Sequence, residues 1–320
     1  MTTFSLGQEW VSRVTRGDEP DVPVMGLNLS PLPDQEKVSA FLGEISRSET
    51  VREMSRRKWL KPLQSSAKTR VAERGSALID FLNIKRPTMP AYAMFRGRRS
   101  VEKRGFLDDL AVRAWVAHVT DVAGECIVQR TFKPSTISKD FLKSLALLSS
   151  RADGPRKALD VLKDVGICVV LESGLPGMSI DGASFHTAEV GPVLALTVRH
   201  DRLDNFWFTL FHEIGHICLH LAEPTDEIFV DSEEDSDSDE TEAEAEADAF
   251  AKDSLIPRDT WLRSDARRFG NEVSVVALAR QIGIHPAIVA GRIRHERRDF
   301  RIFNDLIGRG QVREIIFDER

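Results

Sequence analysis

Apolar residues recur along this chain at two spacings, and the change from one to the other divides it. After a proline-punctuated stretch, residues 1–35 with Pro20, Pro23, Pro31 and Pro33, which reads as an extended arm, the spacing turns helical. Val38, Phe41, Leu42 and Ile45 recur three and four residues apart, and Val51, Met54, Trp59 and Leu60 follow behind Ser48. Val71, Leu78, Ile79, Phe81 and Leu82 mark a further helix over 70–82. Leu110, Val112, Trp115 and Val116 mark one over 106–122, and Leu142, Leu145 and Leu148 one over 138–148. The turn 151–155 carries Gly154 and Pro155, with Pro155 suited to the first turn of a helix over 156–164.

Beyond that turn the texture becomes β. Residues 166–171 and 192–198 are unbroken apolar runs that predict two strands, with a turn-rich loop over 175–183 between them. Residues 199–204 connect to a helix over 206–221, with Asp204 as its N-cap. Helical pattern resumes over 240–255, ends at Ile256-Pro257, and continues in two or three helices over 259–269 and 273–294. The last of these, turning at Gly283, has the outline of a helix-turn-helix, although Val289 and Ile293 read as packing residues.

The expected fold is α+β, mainly helical, with a small sheet packed on the 206–221 helix. Its organisation is an arm (1–35), a helical N-terminal domain (36–152), a core (153–258) and a C-terminal helical subdomain (259–320). The edge of such a sheet offers a place where a substrate backbone can align.

Charge sharpens this picture. The 320 residues carry a net charge of −6, yet between positions 226 and 248 thirteen of twenty-three residues are Asp or Glu and none is Lys or Arg. The remainder holds 44 basic against 37 acidic residues, a mildly basic body that permits a nucleic-acid surface without requiring one. An acidic insertion over 226–241 therefore interrupts the core, and 233–240 contains no apolar residue. The basic run 96–104 reads first as a solvated loop and second as a phosphate contact. No apolar run approaches the ~20 residues of a membrane span. The N-terminus lacks the pattern of a signal peptide. Three cysteines, Cys126, Cys168 and Cys218, show no paired spacing, so free thiols and a cytoplasmic location are expected.

The chemistry concentrates in the 206–221 helix, which contains His212-Glu213-Ile214-Gly215-His216. Residues four apart share a helix face, so the two imidazoles can hold one metal ion while Glu213 reaches a water bound to it. Phe211, Ile214, Cys218 and Leu221 are placed to bury the opposite face. The bland alternative is a core helix with two satisfied histidines. An open zinc site usually has three protein ligands. Glu242, Glu244 and Glu246 are the candidates for the third, and Glu244 is preferred because Asp248, one turn on, can accept the free N–H of a ligand histidine. Glu246 remains the alternative. His220 lies a further turn along and reads as a helix-end residue, since three histidines on two straight turns cannot easily share one metal. His186 and His200 are candidates for steadying an oxyanion, with surface roles as the alternative for each. Tyr92, the only tyrosine, is remote. A metal there would polarise a scissile carbonyl, with Glu213 as the general base.

The stretch 206–220, together with Glu244-Ala-Glu-Ala-Asp-Ala-Phe-Ala251 and Leu255-Ile-Pro257, resembles the ImmA/IrrE family of metallopeptidases. Ile180-Asp-Gly-Ala183 and the segment 283–292 are similar to members joined to HigA-type antitoxins, and 51–60 resembles, more loosely, the connector of such fusions. The likeness runs over roughly 158–298. It implies a zincin-like domain with Zn2+ held by His212, His216 and Glu244, Glu213 as base, and hydrolysis of a regulatory protein in a bacterial or phage stress or toxin–antitoxin circuit, in some members a helix-turn-helix repressor. Two departures stand out. The N-terminal helix-turn-helix of those fusions is missing, so DNA binding is not expected from that end, and the acidic tract is longer. The competing reading is a non-catalytic, antitoxin-like transcriptional regulator that keeps the fold and the metal.

Overall fold

The computed structural model describes residues 48–60, 81, 106–128, 130–225, 228–232 and 241–317. The expected arm, the helix over 70–82, Tyr92, the basic run 96–104 and the acidic run 233–240 lie outside the described residues, apart from position 81. The chain divides into two compact units. Among the described residues, the first holds 48–60, 81, 106–122 and 174–179, and the second holds 123–128, 130–173 and everything described from 180 on.

In the first unit, α1 (Glu49–Arg56) starts where Ser48 accepts a hydrogen bond from the Val51 N–H, and it buries Val51 and Met54. The long helix α2 (Phe106–Gly124) buries Leu110, Trp115 and Val119. Trp59 stacks on His118 with ring centroids 3.9 Å apart.

The second unit is α+β. Helices α3 (Lys139–Leu147) and α4 (Gly154–Asp164) precede β1 (Cys168–Leu171). Strands β2 (Ile180–Thr187) and β3 (Gly191–Leu196) form a hairpin, and α5 (Leu203–Leu219) follows. Then come β4 (Ile228–Ser232), α6 (Glu242–Leu255), α7 (Arg258–Arg263), α8 (Asp265–Phe269), α9 (Glu272–Ile282), α10 (Pro286–Arg297) and α11 (Gln311–Phe317). The sheet runs β1-β3-β2-β4, with β1 parallel to β3 and the other pairs antiparallel. Helix α5 is buried on nearly every side from Leu203 to Ile217, its polar His212, Glu213 and His216 included. It packs on β2 and is covered by α6, with Trp207, Leu210, Ile214 and Ile217 in a core shared with Leu162, Leu194, Leu255 and Ile288.

Several expectations need correction. The loop predicted over 175–183 gives way at Ile180 to strand β2, and the acidic insertion begins with strand β4. Neither looks like a strand alone: β2 carries Asp181, Gly182 and Ser184, and β4 has only Ile228, Phe229 and Val230 among acids. Pairing with β3, and burial of every position from Ile180 to Phe185, makes β2 a strand. Asp204 is not the N-cap of α5. Arg202 holds that position, and the buried Asp204 carboxylate accepts from its guanidinium at 2.8 and 2.9 Å. Cys126 and Cys168 are joined in a disulfide rather than free, their Cα atoms 6.3 Å apart across a separation of 42 residues. The fold brings the segment after α2 beside β1, which sequence spacing does not report. The thiol-based argument for a reducing compartment therefore falls, while Cys218 stays free with its thiol pushed by burial up to about 12. In the helix-turn-helix outline, α10 is buried from Ala287 through Arg294, so those eight residues are core and not a groove-reading face.

One close approach governs the packing of α5 on α6. A Cβ added to Gly215 would lie 3.2 Å from the Ala247 Cα and 3.2 Å from the Phe250 ring. Ala247 is buried at that contact, and Ala251, one turn on, is buried as well. We expect Gly215→Val to force the two helices apart, destabilising the protein by ~1–3 kcal/mol. Urea unfolding of the metal-free protein measures this, and an unchanged midpoint would contradict the close approach.

Candidate metal centre

Two helices supply the centre. On α5, His212 and His216 lie one turn apart with their rings edge to face, and their Nε2 atoms are 3.0 Å apart. Helix α6 starts where Thr241 accepts a hydrogen bond from the Glu244 N–H, and Glu242 and Glu244 suit the positive end of its dipole. This start sets Glu244 in the first turn, facing α5. Its Oε2 is 3.2 Å from His212 Nε2 and 3.5 Å from His216 Nε2.

The triangle fits a metal ion. Ligands ~2.0–2.1 Å from a tetrahedral zinc stand about 3.3 Å from one another, and the observed edges are 3.0, 3.2 and 3.5 Å. Among the described residues this is the one such group of three. The donor set of two imidazoles and a carboxylate is one zinc accepts. A buried polar atom without a hydrogen-bond partner points the same way: Glu244 Oε1.

Around the triangle the expected residues separate. Asp248 Oδ1 is 3.1 Å from His212 Nδ1, and its Oδ2 is held by Lys252 at 2.6 Å. Glu246, the alternative third ligand, turns to His220 Nε2 at 3.0 Å. His186 Nδ1 lies 2.8 Å from the Leu221 carbonyl, and His200 Nε2 lies 3.8 Å from Asp181 Oδ1, so the structure brings neither into the cluster. Glu213 is fully buried against β2, where a Cβ on Gly182 would come within 2.5 Å of its Oε1. Only a glycine leaves the carboxylate that space. Two residues of β4 were missed from sequence. Phe229 stacks on His216 with centroids 4.3 Å apart, and Asp231 is the strand partner of Gly182. A signal was present, since Ile228-Phe-Val230 is the only apolar run between positions 226 and 242.

Electrostatics in the metal-free protein follow from crowding. Burial pushes Glu213 well above the carboxylate range; the His212 charge and the Ser184 hydroxyl act against it, and the Asp231 and Glu244 carboxylates add to it. Burial likewise pushes Asp231 up to about 7. Burial alone would raise Glu244, but the His212 and His216 imidazoles outweigh it and hold the carboxyl at about 2. Asp248 is held well below its usual range by His212 and Lys252, against burial. Burial would lower His212, yet Asp248 and Glu244 raise it well above 6.5, whereas burial wins at His216 and lowers it.

The sign for metal uptake follows. A histidine raised well above 6.5 carries a proton at neutral pH, and a histidine must be neutral to bind metal. Zinc binding near pH 7 is therefore expected to release at least one proton per ion. Calorimetric titration in buffers of different ionisation enthalpy checks this, and no release would contradict the charged state of His212.

Against known proteins, residues 163–294 match the family model of peptidase M78, the IrrE N-terminal-like domain. The matched segment spans β1 to α10 and contains His212, Glu213, His216, Glu244 and Asp248. No curated protein matches the chain. Residues 163–294 thus make this chain the bearer of a metallopeptidase-type domain of the ImmA/IrrE family.

Proposed function

We propose that the chain is a zinc-dependent endopeptidase that hydrolyses peptide bonds of a regulatory protein. The observation that carries this reading is the His212–His216–Glu244 triangle with the buried Glu213 carboxylate next to His212 on the same helix. The family match supports peptidase chemistry, and the resemblance to antitoxin-linked members favours a substrate from a stress or toxin–antitoxin circuit, such as a helix-turn-helix repressor.

The chain's own groups divide the work. His212, His216 and Glu244 hold the zinc, which when bound supplies a Lewis acid that polarises the scissile carbonyl and acidifies water to a pKa of ~7 in favourable sites. Glu213 takes a proton from the attacking water as the new C–O bond forms, then passes it to the amide nitrogen as the C–N bond breaks. Burial keeps bulk water away from Glu213, so the proton it takes returns to the leaving amine. Asp248 fixes the His212 ring by accepting its Nδ1–H. The substrate backbone lies along β4, an edge strand of the described sheet. That strand pairs Asp231 with Gly182 and so runs past Glu213. An extended segment added there would pair by main-chain hydrogen bonds.

Glu213→Gln keeps size and removes the base. It is expected to retain full zinc while cleavage falls by ~10²-fold or more. Sequencing of new protein N-termini in cells expressing each form measures this. Termini made by the wild type and not by the variant identify the substrate. The same termini from both forms would contradict the assignment, and an absence of new termini in either would favour a non-catalytic regulator.

A further inference from the structure

We propose that His220 and Glu246 form a relay that positions His216 as an Nε2 metal ligand. The inference rests on the zinc reading above and extends it to two residues that bind no metal themselves.

A histidine that offers its Nε2 lone pair to a metal must carry its proton on Nδ1, and that N–H needs an acceptor. For His212 the acceptor is the Asp248 carboxylate. His216 has no carboxylate there. The atom 3.1 Å from its Nδ1 is His220 Nδ1. An imidazole nitrogen accepts only when the ring's proton sits on the other nitrogen. His220 must therefore carry its proton on Nε2, and Glu246 Oε2, a pure acceptor when ionised, lies 3.0 Å from that nitrogen. With His216 Nε2 turned to the metal, one arrangement satisfies both contacts. The His220 Nε2–H donates to Glu246, the His216 Nδ1–H donates to His220 Nδ1, and His216 Nε2 is left free towards Glu244 and His212.

The fold explains how His220 reaches back. It is the C-cap of α5, at φ −121° and ψ −21°, with its N–H bonded to the His216 carbonyl. Leaving the helix there frees its ring from the straight-turn geometry that would carry it away. Phe229 of β4 covers both imidazoles, stacked on His216 at 4.3 Å and tilted against His220 at 5.2 Å. The relay runs from the interior outward: the side chains of His216, His220 and Glu246 are 1, 14 and 54 % exposed. Both ring nitrogens of His220 are engaged in this chain of contacts, which accounts for a histidine of the metal helix that is not a ligand.

The test uses the zinc-loaded full chain. Long-range 1H–15N correlation spectra of the histidine side chains should show His216 protonated at Nδ1 and His220 at Nε2 alone. A His220 ring protonated at Nδ1, or at both nitrogens, overturns the relay, and this readout needs no variant to fold. Zinc affinity, measured by competition with a chelator, should fall ~10–100-fold in His220→Ala. Glu246→Ala should weaken it less, and the double variant should match His220→Ala, because Glu246 acts only through His220. Unchanged affinity in His220→Ala, or additive losses in the double variant, overturns the relay while leaving the zinc site standing. A wild type that takes up no zinc overturns the zinc reading and the relay together.

Discussion

Gly215, set against the buried Ala247, lets α5 and α6 lie closer than a side chain at that position would allow. Everything proposed for the centre depends on that distance. His212 and His216 are fixed by one turn of α5, but Glu244 comes from a different helix, and its carboxylate can close the triangle only if α6 packs at this spacing. The same contact places Asp248 against His212 and Glu246 against His220. Small residues at a helix contact thus set three polar contacts at once.

The cost of this arrangement is electrostatic. Two imidazoles, the Glu213 carboxyl and most of Glu244 are withdrawn from water, and burying ionisable groups is unfavourable unless they are paired. In the metal-free protein the strain shows as displaced proton affinities, with Glu213 and Asp231 pushed up and Glu244 pulled down. A divalent cation at the triangle reverses that balance, because it favours the ionised carboxylates and the neutral imidazoles.

Sequence reasoning reached the parts of this centre that helical periodicity governs. His212 and His216 share a face because they are four apart, and Glu244 and Asp248 do so for the same reason one helix later. What it could not reach was set by tertiary neighbours. Strand β2 contains Gly182 where a strand-former would be expected, because Glu213 occupies the space of a side chain there. Strand β4 was hidden in an acidic stretch, and with it Phe229. The Cys126–Cys168 bond depends on two segments 42 residues apart meeting in space, and His220, read correctly as a helix-end residue outside the ligand set, turns back to His216 and Glu246 in contacts that spacing does not report. Strand β4 leads in sequence directly into the acidic run 233–240, so the edge proposed for substrate and the most acidic part of the chain are contiguous.

The central claim is that one zinc ion sits between α5 and α6 on two imidazoles and a carboxylate. X-ray absorption at the zinc edge of the zinc-loaded protein tests it most directly. The account predicts two imidazole nitrogens with the remaining ligands oxygen, all at ~2.0–2.2 Å, and no sulfur. A sulfur ligand at ~2.3 Å, or a shell lacking imidazole, would contradict it.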